Sequence, residues 1–212
     1  MTFSQEQFFS HLPPYLLDTG KGRIKDGLSQ FIDPKEREKP KVYDNFYLQA
    51  HTNYFMQGDL FNSISVSEWD AGEEDFFTGY TTAMLVSNTC DVSSDNEQII
   101  NKDALFAPVF KLNEFFADLR AEGKNEAHIQ SILSALKNQT LSHLMYLPPD
   151  SITHTEYVVR FDKIQCFPSS VINKMVKRIE DERFLSLSDW AFYLLIFKIS
   201  YHFCRVPEEK DR

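Results

Sequence analysis

Residues Tyr80 to Val86 are apolar or β-branched throughout, and this run constrains the fold more than any other segment. Such a run predicts a strand covered on both faces. Upstream, from about Gln57, Ile64 and Val66 alternate with Ser63, Ser65 and Ser67, the period of a half-buried strand. Asp70 to Asp75 reads as the turn between the two. Ala104 to Leu112 is a third strand, in which Pro108 implies a sheet edge or a bulge. Leu144–Leu147 is a fourth, broken by Pro148-Pro149. Tyr157, Val159 and Phe161 then alternate with Val158, Arg160 and Asp162 in a strand ending before Pro168.

Helical signals surround these strands. Residues 1–19 read as a short helix closed by Pro13-Pro14, and residues 20–42, rich in Lys, Glu and Pro, as a flexible surface excursion. Asn113 is a candidate N-cap and Gly123 a candidate terminator around residues 114–122. Asn125 caps a second helix whose Ile129, Ile132, Leu133 and Leu136 share one face. Ser169 and Ser170 precede a helix carrying Val171 to Ile179, and Ser188 precedes a last helix that is apolar nearly all round. The expected class is α+β with a small, largely antiparallel sheet curled toward a barrel. One domain spans residues 1–212: an N-terminal helix and arm at 1–56, the barrel-like sheet at 57–168 with a helical insert at 113–138, and C-terminal helices at 169–212.

The 212 residues are 42% hydrophobic and 25% charged, which excludes a disordered tail. The longest strictly apolar stretch, Trp190 to Phe197, is far below the ~20 residues that cross a bilayer. The N-terminal residues lack a basic region followed by an apolar run, so the expected location is cytoplasmic, with no membrane partner. Cys90, Cys166 and Cys204 stand alone, against a disulfide framework. Six scattered histidines show no ligand spacing, so no metal and no cofactor is expected.

Charge is unevenly spread around the net −9. Lys21 to Lys41 holds seven Lys/Arg against four Asp/Glu, whereas Val42 to Asn101 holds ten acidic residues and no Lys or Arg. Such a segment repels polyanions and attracts basic surfaces unless the fold lays cations over it.

Three constellations carry candidate chemistry. The first is Ser87-Asn88-Thr89-Cys90-Asp91, at the end of the most apolar strand. A nucleophilic Cys90 needs a base and a nearby cation. The other reading, favoured here, is an Asx-type turn made by Asn88, Thr89 and Asp91, with Cys90 packed inward. The second is Lys198, His202 and Arg205, spaced along one face of the last helix. They read as its solvent face or as a phosphate-holding stripe. The third is Arg160 and Asp162, on one face of a strand and within pairing reach: an acid–base pair or phosphate clamp, or a surface ion pair.

Several of these segments resemble the MazF/PemK toxin family. Gly58-Asp59-Leu60, Thr82–Ser87, Ala107-Pro108-Val109 and Val158–Asp162 are similar to that family's strand motifs over roughly residues 57–168. The resemblance implies an SH3-like barrel that cleaves RNA, with catalytic roles at Arg160 and Asp162. The family's cationic first loop is replaced by Glu73-Glu74-Asp75, and Thr81-Thr82 stands where Arg-Pro is usual. The segment Leu85–Asp91 also resembles an S-x-x-C-D segment of bacterial proteins found near mobile elements.

Because cleavage of RNA needs cations where charge develops, the leading expectation is a non-enzymatic interaction or regulatory protein, with an acidic face toward a basic protein partner and a link to mobile elements or defence. The alternatives are a PemK/MazF-like endoribonuclease, the one reading with RNA as partner, and a small-molecule or phosphate binder built on Asn88, Cys90, Asp91, Lys198, His202 and Arg205. The sequence leaves the oligomeric state open.

Overall fold

The computed structural model describes residues 18–32, 41–49, 54–70, 72–92, 103–151, 154–168 and 182–204. Its longest pairing is an antiparallel hairpin of β1 (Leu60–Asp70) and β2 (Asp75–Leu85), in register from Ile64↔Thr81 out to Asp70↔Asp75. A bulge between Phe61 and Ile64 places Ser63 in the left-handed region at φ 56°. There the chain changes which face receives its side chains. Both strands run longer than the sequence pattern indicates, because the hairpin's outer half is polar or exposed and carries no core signal.

Around this hairpin the described residues form one antiparallel sheet of seven strands with five α-helices, an α+β architecture. The other strands are β3 (Ala104–Lys111), β4 (Leu144–Leu147), β5 (Tyr157–Arg160), β6 (Gln165–Phe167) and β7 (Arg183–Leu185). The order is β4-β5-β3-β2-β1-β7, with β6 also paired to β3. The helices are α1 (Asp18–Ile32), α2 (Thr89–Val92), α3 (Leu112–Ala121), α4 (Glu126–Lys137) and α5 (Asp189–Cys204). None of the described helices is long and apolar enough to cross a membrane.

Strand β3 is central. One edge pairs with β2; the other pairs first with β6 (Ala104↔Phe167 to Phe106↔Gln165) and then with β5 (Val109↔Val159 to Lys111↔Tyr157). Between β5 and β6 the chain makes a 3-10 turn at Phe161–Lys163. Pro108 falls opposite that interruption, so it sits mid-sheet rather than at the expected edge. A proline is tolerated there because neither β5 nor β6 pairs with it.

The backbone ladder is open among the described residues, yet β6 is tied back to β1 by side chains. The Gln165 amide accepts from Ser67 N–H (2.9 Å) and donates to Ser67 O (2.8 Å), mimicking a strand partner. Lys163 Nζ pairs with Glu68 beside it at 2.8 Å.

Both faces of the sheet are covered. On one, Met84, Val109, Met145, Leu147 and Val159 pack against Ile24 and Leu28 of α1 and Leu194 and Leu195 of α5. On the other, Leu144, Tyr146 and Val158 meet Phe116, Ile129 and Leu136 of the α3–α4 pair. That double cover explains why all four residues of β4 are buried. Residues 20–42 therefore need correcting. Much of this excursion is helix α1, seated on α5 by Ile24 and Leu28, one turn apart. Gly27 permits the contact, since a Cβ there would lie 2.5 Å from the Trp190 ring.

The insert comes at 112–137, close to expectation. Asn125 caps α4 by accepting from His128 N–H, and Gly123 ends α3 at φ 82°. Asn113 is not a cap: Lys111 occupies that position with no side-chain cap bond. Ser188 does precede α5, but its buried hydroxyl has no hydrogen-bond partner. The expected helices at 1–17 and 171–179 lie outside the described residues.

Candidate functional site

Two of the predicted constellations come together, and their meeting point is the end of β5. The turn at Phe161 cuts the expected strand short, so Arg160 and Asp162 are not two positions of one extended strand. They pair nonetheless: Arg160 donates from Nε (3.1 Å) and Nη2 (2.5 Å) to the two Asp162 carboxylate oxygens. Burial works to raise the Asp162 pKa, but the hydrogen bonds and charge of Arg160 win and hold it below the ordinary aspartate value.

His143, which no sequence pattern singles out, lies across the ladder from this pair. Leu144 is in register with Arg160, and the preceding His143 carbonyl accepts from Phe161 N–H at 2.9 Å. From the other side α5 brings His202, whose ring lies 6.4 Å from that of Phe161. Partial burial pushes the His143 pKa down; the charge of Asp162 opposes this, while Arg160, His202 and Lys198 add to it. Strand pairing alone joins His143 to the group, which is why spacing in the sequence missed it.

Lys198 overturns the reading of α5's polar stripe as a solvent face. It is 2% exposed, and its ammonium donates to Gln139 O at 2.9 Å and to Leu141 O. These carbonyls follow the C-terminus of α4, where the helix dipole favours a cation. Burial nevertheless pushes the amine's pKa down to about 7. Lys198 is thus a strut between α5 and the end of the insert, with His202 one turn on and half-buried. Arg205 lies outside the described residues.

The Ser87–Asp91 segment forms a turn. Asn88 Oδ1 accepts from Cys90 N–H at 3.1 Å, an Asx turn that starts α2, and Thr89 Oγ1 accepts from Gln57 N–H at 3.0 Å. Ser87 is the buried member, its hydroxyl accepting from Leu105 N–H at 2.8 Å. Cys90 is exposed rather than packed inward. Asp91 belongs to the first turn of the four-residue α2.

Gly58 and Asp59, the first motif of the family resemblance, are structural. Asp59 is fully buried and accepts from Met56 N–H (2.8 Å) and from Arg183 Nη1 (3.0 Å). The same Arg183 nitrogen donates to Tyr54 O, and its guanidinium lies over the Phe55 ring. Gly58 adopts φ 95°, and a Cβ there would sit 2.8 Å from Leu187. The motif therefore locks the start of β1 to β7.

A different surface emerges at the far end of the hairpin. Phe76 is 66% exposed, Phe77 65% and Tyr80 71%, beside Glu73, Glu74 and Asp75 at the tip. The reading of a strand covered on both faces holds at Ala83–Val86 and fails at Tyr80. Lys163 and Gln165 hold β1 as far out as Glu68, so the tip is presented from a fixed base. The signal in the sequence is Asp75-Phe-Phe next to an acidic loop, with no Lys or Arg within reach along the chain.

Searched against protein-family models, the chain matches none, and no curated protein matches it.

Proposed function

We propose that the protein is a non-enzymatic interaction module and that the β1–β2 hairpin tip is its docking element for a basic protein partner. The observation that carries this reading is the exposure of Phe76, Phe77 and Tyr80 beside Glu73, Glu74 and Asp75. Aromatic side chains supply apolar area with few rotatable bonds, the usual composition of binding hot spots, while carboxylates around them steer a cationic partner and fix its register. Elsewhere in the acidic segment the fold does supply cations: Arg183 on Asp59 and Lys163 on Glu68. The test is capture of proteins from bacterial lysate by the wild type and by Phe76→Ser/Phe77→Ser. The reading expects a basic protein retained at low salt, released at high salt, and absent with the double variant. Equal capture by both sinks it.

A second reading, cleavage of RNA after the manner of the MazF/PemK family, is favoured by the gathering of His143, Arg160, Asp162 and His202. The Gln165 tie between β6 and β1 supports it too, on our reading of β1, β2, β3, β5 and β6 as an SH3-like barrel whose last seam is a side-chain bridge. Incubation with total RNA beside Arg160→Ala tests it. Cleavage lost in the variant supports the assignment, and intact RNA with the wild type removes the reading.

A further inference from the structure

We propose that Arg160, His143 and His202 together bind a phosphate monoester group. The Arg160 fork is already oriented: Asp162 takes Nε and Nη2, and among the described residues no hydrogen bond engages Nη1. The guanidinium has five N–H donors, so the outer edge retains donors in a fixed direction. No hydrogen bond among the described residues engages the ring nitrogens of His143 or His202 either. The three residues come from three elements, the end of β5, the lead into β4 and α5, and meet around Phe161: Arg160 precedes it, the His143 carbonyl accepts its N–H, and the His202 ring lies 6.4 Å from its ring. A carboxylate has two oxygens in one plane, whereas a phosphate monoester has three diverging ones, one for each of these three side chains.

Electrostatics fit the same ligand. Asp162 offsets Arg160, so attraction has to come from the other basic groups facing His143, which are His202 and Lys198. Lys198 spends its N–H groups on Gln139 O and Leu141 O and acts through its field, not by contact. The inference is independent of RNA cleavage: a site that holds a phosphate without attacking it leaves RNA intact.

The experiment is an NMR titration of the histidine ring resonances with inorganic phosphate and, separately, with a nucleoside 5′-monophosphate. The expected result is that His143 and His202 resonances move together with one dissociation constant. Arg160→Gln should raise that constant ~10-fold or more, the size of a lost charge-assisted bond. His143→Gln should likewise weaken binding and abolish the coupled movement of His202, and it serves as the test if Arg160→Gln does not fold. Equal affinity for both ligands identifies the phosphate group as the whole determinant; tighter nucleotide binding adds a neighbouring surface that reads the nucleoside. Resonances that stay still, or that move equally in the folded Arg160→Gln variant, overturn the site.

Discussion

Lys198 shows how a single residue's environment sets its role. A lysine on an apolar helix is expected to reach solvent, but here the nearest acceptors are the carbonyls that end α4, and the ammonium is buried against them. Lys198→Met keeps the volume, orphans Gln139 O and leaves Leu141 O with only the long bond from Leu144 N–H (3.4 Å), at a cost of about 1–3 kcal/mol in all. The pH dependence has a definite sign. The folded amine titrates at about 7 and the unfolded one near ~10.4, so between these values the unfolded chain holds the extra proton. Stability contributed by this group is therefore lost as pH falls toward 7 and recovered as pH rises. Denaturation midpoints of the wild type should climb relative to those of Lys198→Met from pH about 7 to about 10. Parallel curves would mean that the amine keeps its proton throughout. Asp59 is the opposite case, a buried carboxylate with its cation in place. Asp59→Ala leaves Arg183 buried without that partner and should cost about 3–5 kcal/mol, read from the same denaturation curves.

At the scale of elements, the α1–α5 and β1–β6 junctions are the ones to probe. Leu28 is buried between α1 and the core, so Leu28→Ala should destabilise by about 2–4 kcal/mol if α1 is integral to the fold. An unchanged denaturation midpoint would return residues 20–32 to the surface. Gln165→Ala removes two hydrogen bonds at an exposed seam. Its expected effect is a modest loss of about 1 kcal/mol, together with faster amide exchange of Ser67 and its neighbours. These junctions also mark how far the sequence could be read. Strand β4 and helix α4 were legible because burial there follows chain periodicity: four apolar residues in β4, and Ile129 and Leu136 on one face of α4. Helix α1 was obscured by the lysines around it, since two buried residues, Ile24 and Leu28, suffice to seat it. Pro108 misled because its tolerance depends on a break between two other strands. His143 was invisible because its neighbours are supplied by pairing across the sheet. Arg160 and Asp162 were legible as a pair at two-residue spacing, although the 3-10 turn, not a strand, brings them together.

For the molecule as a whole, the arrangement separates two surfaces. The hairpin tip carries aromatic and acidic groups on β1 and β2, whereas Arg160, His143 and His202 stand at the ends of β5, β4 and α5. Sites that share no partners respond independently to substitution. Phe76→Ser/Phe77→Ser should therefore leave the histidine response to phosphate unchanged while abolishing capture of the basic partner. Arg160→Gln should do the reverse. The exposed hairpin substitutions should also shift the unfolding midpoint little, because side chains at 65–66% exposure contribute little to the core. If one variant impaired both readouts without loss of stability, the two surfaces would be coupled. The segment to examine would then be Lys163–Gln165, whose ties to Glu68 and Ser67 connect the hairpin to the turn that carries Asp162. A Lys163→Met variant that restores independence would locate the coupling in that ion pair, and one that leaves it intact would place the link in the Gln165 seam.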